Sequence, residues 1–137
     1  MERTVTQHSV VTAPELARPS GYAHAVVASR GRTVYLAGQT SQLADGSIGG
    51  ADLVEQYDIA AANVIAVLRA AGGHAQHLVS LQVFVTDVGE YRAARPRLRD
   101  VWRRHFGDHY PAMALLGVHE LFDAAARVEL MGIAVIP

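Results

Sequence analysis

Glu129 is the first residue whose surroundings suggest chemistry. It stands in a closing run that is apolar apart from Arg127: Arg127-Val128-Glu129-Leu130-Met131-Gly132-Ile133-Ala134. On a strand, residues 127, 129 and 131 share one face, which leaves Val128, Leu130, Ala134 and Ile136 for a core. A carboxylate in a partly dry cleft suits acid/base work near neutral pH. The plainer alternative is an Arg127–Glu129 ion pair on an exposed face. His119, in Val118-His119-Glu120, is a candidate second proton carrier, as is His24, although a loop histidine is more often simply solvated. His105 and His109 have a spacing that can place two imidazoles on one helical face as metal ligands. Gly107 ends the helix between them and no third ligand lies nearby, so no metal site is expected.

Composition removes other chemistries. The 137 residues include no Cys, and all 12 basic residues are Arg. Thiol nucleophiles, disulfides and thiolate metal sites are excluded, and so are lysine Schiff bases. A formal net charge of -1 gives no global field for nucleic acid or an anionic membrane. Six of the arginines fall between Arg92 and Arg104, but Glu90, Asp100 and Asp108 interrupt the charge. This reads as a solvated helix face, not an RNA-binding one. Neither Gly72-Gly73 nor the stretch Gly46 to Gly50 forms a phosphate-binding fingerprint before a helix. No apolar run is long enough to span a bilayer, and the start, Met1-Glu2-Arg3-Thr4-Val5, does not resemble a signal peptide. A cytoplasmic protein of a single domain, residues 1–137, is expected.

The elements that must position these residues follow from pattern. Residues 1–21 read as an edge strand and an irregular approach. The runs His24 to Ser29 and Thr33 to Ala37, joined by Arg30-Gly31-Arg32, read as a hairpin. Ser41 to Ala51 is a loop. Asp52 caps a helix whose apolar positions, Leu53, Tyr57, Ala60, Val64, Val67, Leu68 and Ala71, recur every three or four residues, with Gly72-Gly73 as the stop. Leu78 to Val88 alternates as a strand, with Val79, Leu81, Val83 and Val85 inward. A second helix carries Tyr91, Ala94, Leu98, Val101, Trp102 and Phe106 near one face, and Pro96 implies a restart within it. Strands follow over Ala112 to Val118 and from Arg127 to about Ile136, separated by the loop Glu120 to Ala125. The order β-β-β-α-β-α-β-β predicts an α+β fold, one mixed sheet with both helices on one face. The other face needs a cover, which oligomerisation would supply.

In this order the segments resemble the Rid (reactive intermediate deaminase) family. The resemblance is carried by Gly21-Tyr22, Val34-Tyr35-Leu36-Ala37-Gly38-Gln39, Glu55-Gln56 with Asn63, and Leu68-Arg69-Ala70-Ala71-Gly72. It continues through Val83-Phe84-Val85-Thr86-Asp87 and Tyr110-Pro111-Ala112 to Val128-Glu129-Leu130-Met131-Gly132. It implies a chorismate-mutase-like fold assembled as a homotrimer around a β-barrel, with clefts between subunits. It also implies hydrolysis of small imines and enamines without metal or cofactor. Carried over by position, Tyr22, Gly38 and Glu129 match the family's cleft residues, with Gln39 in the same turn. Ala37 stands where a serine is usual. Met131 replaces a carboxylate of the last strand. Met113 stands where the family's substrate-binding arginine belongs, and a thioether has neither charge nor strong donor for a carboxylate.

The expected activity is therefore deaminase-like hydrolysis, or related acid/base catalysis, of a reactive small molecule other than a standard 2-imino carboxylate. Glu129 would be catalytic, with Tyr22, Ala37, Gly38, Gln39, Met113 and His119 around the substrate. Arg95 or Arg127 could restore the missing cation. The alternatives are a non-hydrolytic homologue that binds a small molecule or partner, and an isomerase or cyclase.

Overall fold

The computed structural model describes residues 7–137, so the reading of the first residues as lacking a signal peptide lies outside it. A small ribbon comes first, β1 (Ser9–Val11) paired antiparallel with β2 (Ala25–Val27). The main sheet is built from β3 (Arg32–Gln39), β4 (Leu78–Val85), β5 (Ala112–Gly117) and β6 (Val128–Ile136), in the order β3-β6-β4-β5. The pairs β3–β6 and β4–β6 are antiparallel, whereas β4–β5 is parallel. Helices α1 (Leu53–Ala70) and α2 (Val88–Phe106) both cover one face. This is the α+β arrangement the sequence predicts.

Local signals explain both helices. The Asp52 carboxylate accepts from the Glu55 N–H at 2.9 Å, and the Glu55 carboxylate accepts from the Ala51 N–H at 2.7 Å, satisfying donors that the first turn leaves open. Such a cap contributes about 1 kcal/mol. Gly72, at φ 88°, turns the chain so that the Gly73 N–H reaches the Leu68 carbonyl at 2.8 Å. In α2, Asp87 caps the Glu90 N–H at 3.0 Å. Contrary to the restart expected at Pro96, α2 runs unbroken through it. Pro96 and Arg92, four residues earlier, are both exposed, so water can serve the carbonyl that proline leaves without a donor.

The sheet departs from expectation in two places. The hairpin expected between residues 24–29 and 33–37 does not form; β2 pairs with β1, and β3 takes the edge of β6. Burial decides this. Leu36 of β3 joins the core with Val34 packed against it, whereas β2 has no core residue to contribute. The ribbon is fastened instead by buried His8, whose Nδ1 accepts from the Ser29 N–H at 3.0 Å and whose Nε2 donates to the Val135 carbonyl at 3.0 Å. In β4 a register shift between Leu78 and Ser80 buries Leu78 alongside Leu81, Val83 and Val85, and Val79 is only half-buried. An irregularity of this kind resets which residues face inward.

The sheet face away from the helices is apolar and uncovered in the single chain. Tyr35 is 78% exposed, and Leu116 and Met131 are also exposed. Glu129 lies on this face.

Candidate functional site

Glu129 pairs across the sheet with Phe84, whose neighbours Val83 and Val85 point into the core, so the carboxylate belongs to the uncovered face. The Arg127–Glu129 ion pair, the plainer alternative to an acid/base role, is absent among the described residues. Arg127 instead donates to the Glu90 carboxylate at 2.9 Å, and no ion pair or hydrogen bond to Glu129 occurs among the described residues. Gly38 abuts Glu129 closely. A Cβ at Gly38 would collide with Oε1 and stand 2.8 Å from Cδ of that side chain.

A β-bulge makes this contact. Leu36 opposes Gly132 and Gln39 opposes Leu130, so three steps along β3 meet two along β6. The extra residue falls in Ala37-Gly38, which turns the chain at the edge of the sheet. Ala37 is exposed, and its carbonyl receives the Gln39 amide at 3.4 Å. Asn63 of α1 steadies the segment after the bulge, donating to the Thr40 carbonyl at 3.0 Å and to the Gln42 carbonyl at 2.9 Å.

Tyr22 and Met113 lie elsewhere. Met113 pairs in parallel with core residue Leu81, so its side chain points to the helix side and packs against the core. Both residues line a cavity of about 690 Å³ between α2 and β5, which also takes in Tyr91, Arg95, Trp102 and Tyr110. The Ala23 N–H donates to the Pro111 carbonyl at 3.0 Å, and Ala23 bridges Ala112, which lays Tyr22 beside the β5 edge. His24 holds that segment: Nδ1 accepts from the Ala13 N–H at 3.0 Å, so Nε2 carries the proton donated to the Ala17 carbonyl at 3.0 Å. With both nitrogens engaged by backbone, His24 fastens this approach.

The candidate residues therefore fall into separate groups within one chain. Gly38 and Glu129 are together, with Ala37 and Gln39 beside them in the bulge; Tyr22 and Met113 are together on the other face. His119 joins neither group. It lines a second cavity of about 550 Å³ with Thr86, Glu120 and Arg127. Gln56 closes one side of that cavity, donating to the Ala125 carbonyl at 3.0 Å and accepting from the Arg127 N–H at 2.8 Å. His105 and His109 are engaged apart from one another, His105 with Asp58 at 2.6 Å and His109 with the Leu78 carbonyl at 2.7 Å.

Electrostatics distinguish the Met113 cavity. Burial pushes the Tyr57 hydroxyl far above its usual range, and the nearby Tyr91 and Tyr110 add to this. Burial also raises Tyr91, while the Arg95 guanidinium pulls it back.

Residues 12–136 match the model of the endoribonuclease L-PSP family. The chain belongs to that family. A 2-iminobutanoate/2-iminopropanoate deaminase of Dermatophagoides farinae is 32% identical over 134 residues, 93% of this chain and 95% of that one. The Rid-family protein YyfB of Yersinia pestis, described as of unknown function, superposes with a TM-score of 0.83 at 30% identity, over 96% of this chain and all of that one. E. coli TdcF with bound serine gives 0.68 at 25% identity, over 93% and 98%. The Rid resemblance read from the residues is therefore one of family.

In this Rid-family chain the sequence reading missed the wall of the cavity. Arg92, Arg95, Arg99 and Arg103 are exposed, as a solvated face requires, and they also line the space next to Met113, where only Arg95 is considered as a replacement cation. Their spacing of three and four residues was the available signal, since it places them on one side of a helix.

Proposed function

We propose that the protein hydrolyses a reactive imine or enamine, without a cofactor, in clefts between the subunits of a homotrimer. The observation that carries this is the Glu129 carboxylate, half-buried against Gly38 and unclaimed by Arg127. Its relation to deaminases such as that of Dermatophagoides farinae supports the reaction class. In the proposed reaction Glu129 takes a proton from water as the oxygen attacks the C=N carbon. The nitrogen gains a proton, and the carbinolamine collapses to a carbonyl compound and ammonia. An enamine first tautomerises to the imine, gaining a proton at carbon and losing one from nitrogen. A bulge at the sheet edge, with Gly38 allowing close approach, suits backbone contacts to the substrate.

The assembly follows from the division between faces. Glu129 with Gly38 and Tyr22 with Met113 cannot enclose one small ligand within one chain, whereas two copies could bring a half each. The exposed Tyr35, Leu116 and Met131 give the uncovered face a reason to be buried. With Met113 in place of a guanidinium at that strand position, a compact 2-imino acid forgoes a paired, charge-assisted grip worth about 2–5 kcal/mol. Such acids are proposed to be poor substrates.

Glu129→Gln tests the reading. Turnover of an imine generated in situ should fall by about 10²–10⁴-fold, with ligand affinity nearly unchanged. Full activity in that variant would reject Glu129 as the base.

A further inference from the structure

Helix α2 presents Arg92, Arg95, Arg99 and Arg103 to the cavity that holds Met113, and among the described residues no acidic side chain lines it. Other arginines nearby are already matched. Arg104 pairs with Asp58 at 3.5 Å, and Arg127 with Glu90 at 2.9 Å. None of the four cavity arginines has an ion-pair partner among the described residues. Beneath them the wall is aromatic: Trp102 stacks on Tyr110 with ring centroids 5.7 Å apart and planes 10° apart, and Tyr91 lies one turn before Arg95. A space of about 690 Å³ is far larger than a three- or four-carbon acid needs and lies in the range of pockets for drug-sized ligands. Uncompensated guanidinium groups over an aromatic and thioether floor recognise one kind of molecule, an apolar body that ends in an anion.

We infer that Arg95 is the anion-binding group of this cavity, and that its ligand is an aromatic or comparably bulky molecule bearing a carboxylate. Arg95 is singled out because it lines the cavity one helical turn after Tyr91, on the same side of α2 as that ring. Arg127, the other candidate for the missing cation, is excluded by its pairing with Glu90 and its place in the other cavity. A cation on the helix, not on β5, meets the carboxylate across the apolar floor. The ligand must therefore separate its anion from the reacting carbon by more than a 2-imino acid does. This specificity rests on the proposed reading of the cavity as part of the substrate cleft.

Calorimetric titration with phenylacetate and its neutral counterpart phenylacetamide tests the inference. The full chain should bind phenylacetate, and Arg95→Gln should weaken it by about tenfold or more. Arg97→Gln, on the same helix but outside the cavity, should leave the affinity unchanged. Phenylacetamide should bind more weakly and be indifferent to Arg95. Equal binding of acid and amide, equal losses from Arg95→Gln and Arg97→Gln, or no binding of phenylacetate would overturn the inference. An RNA oligonucleotide retained through Arg95 in place of phenylacetate would do the same. Because Arg95 is exposed, its variant should keep the parent melting temperature, which separates lost binding from lost folding. Arg95-dependent binding without any imine hydrolysis would sink the hydrolase reading alone. Hydrolysis that needs Glu129, with phenylacetate indifferent to Arg95, would sink only the specificity.

Discussion

The two faces of the main sheet solve different problems. Around Glu129 the geometry is set by backbone: a bulge in β3 brings a glycine against the carboxylate, and no cation answers it. Around Met113 it is set by side chains: a helix lays arginines over stacked rings, and no carboxylate answers them. In the proposed function the first region moves a proton, and the second holds an apolar molecule that carries an anion. Each lacks what the other has. The contrast teaches where the proposed cleft would divide: under that reading each chain brings one half, and a second copy completes it.

The most severe test of this division is complementation. Glu129→Gln disables one half, and Met113→Trp fills the other. Each variant alone should be nearly inactive. Co-refolded in equal amounts, they should regain activity in about a quarter of clefts, those that draw an intact half from each chain. No recovery on mixing would break the comparison by placing the whole site within one chain.

A smaller effect should follow from Gly38→Ala. The added methyl must displace the Glu129 carboxylate, the mobile end of a side chain, so the cost falls on catalysis more than on folding. Turnover should drop by about 10²-fold, since a displacement near 1 Å can have that effect. The melting temperature should change by only a few degrees, and calorimetry beside kinetics would separate the two. Met113→Arg should sharpen the contrast from the other side, raising kcat/KM for enzymatically generated 2-aminoacrylate by about tenfold.

The smallest effect concerns stability. Burial lowers the His109 pKa below the ordinary 6.5, and His77 is lowered by burial and then by neighbouring His74. Their neutral forms favour folding, so this stability is fully present above pH 6.5 and is lost as the pH falls through the folded values. The melting temperature should drop by a few degrees towards about pH 5. His109→Gln, which keeps a donor for the Leu78 carbonyl, should flatten that slope.

Much of the scaffold was legible because local chemistry and tertiary demand agree. Asp52 begins a helix, Gly72 and Gly107 follow helix ends, and the Val128 to Ile136 alternation sorts core from surface, whereas the Asp87 cap falls inside the strand read as running to Val88. Register and partner choice were not legible. The β2–β3 hairpin satisfied every local rule and lost to the core burial of Leu36 against β6. Bulges at Leu36/Gln39 and Leu78/Ser80 shift register without a distinctive residue pattern. Glu129, Gly38, Tyr22 and Met113 could each be picked out by resemblance. Their separation onto opposite faces could not, because it depends on β5 joining β4 in parallel while β6 runs antiparallel between β4 and β3.

The α2 rim also bears on durability. Every cation there is a guanidinium, and the chain has no Lys and no Cys to offer an amine or thiol anywhere. Carbonyl compounds condense readily with side-chain amines, and electrophilic imines add thiolates, whereas a guanidinium that stays protonated at neutral pH is a poor nucleophile. If the proposed hydrolysis holds, a rim without side-chain amines or thiols would spare the protein modification by its own output.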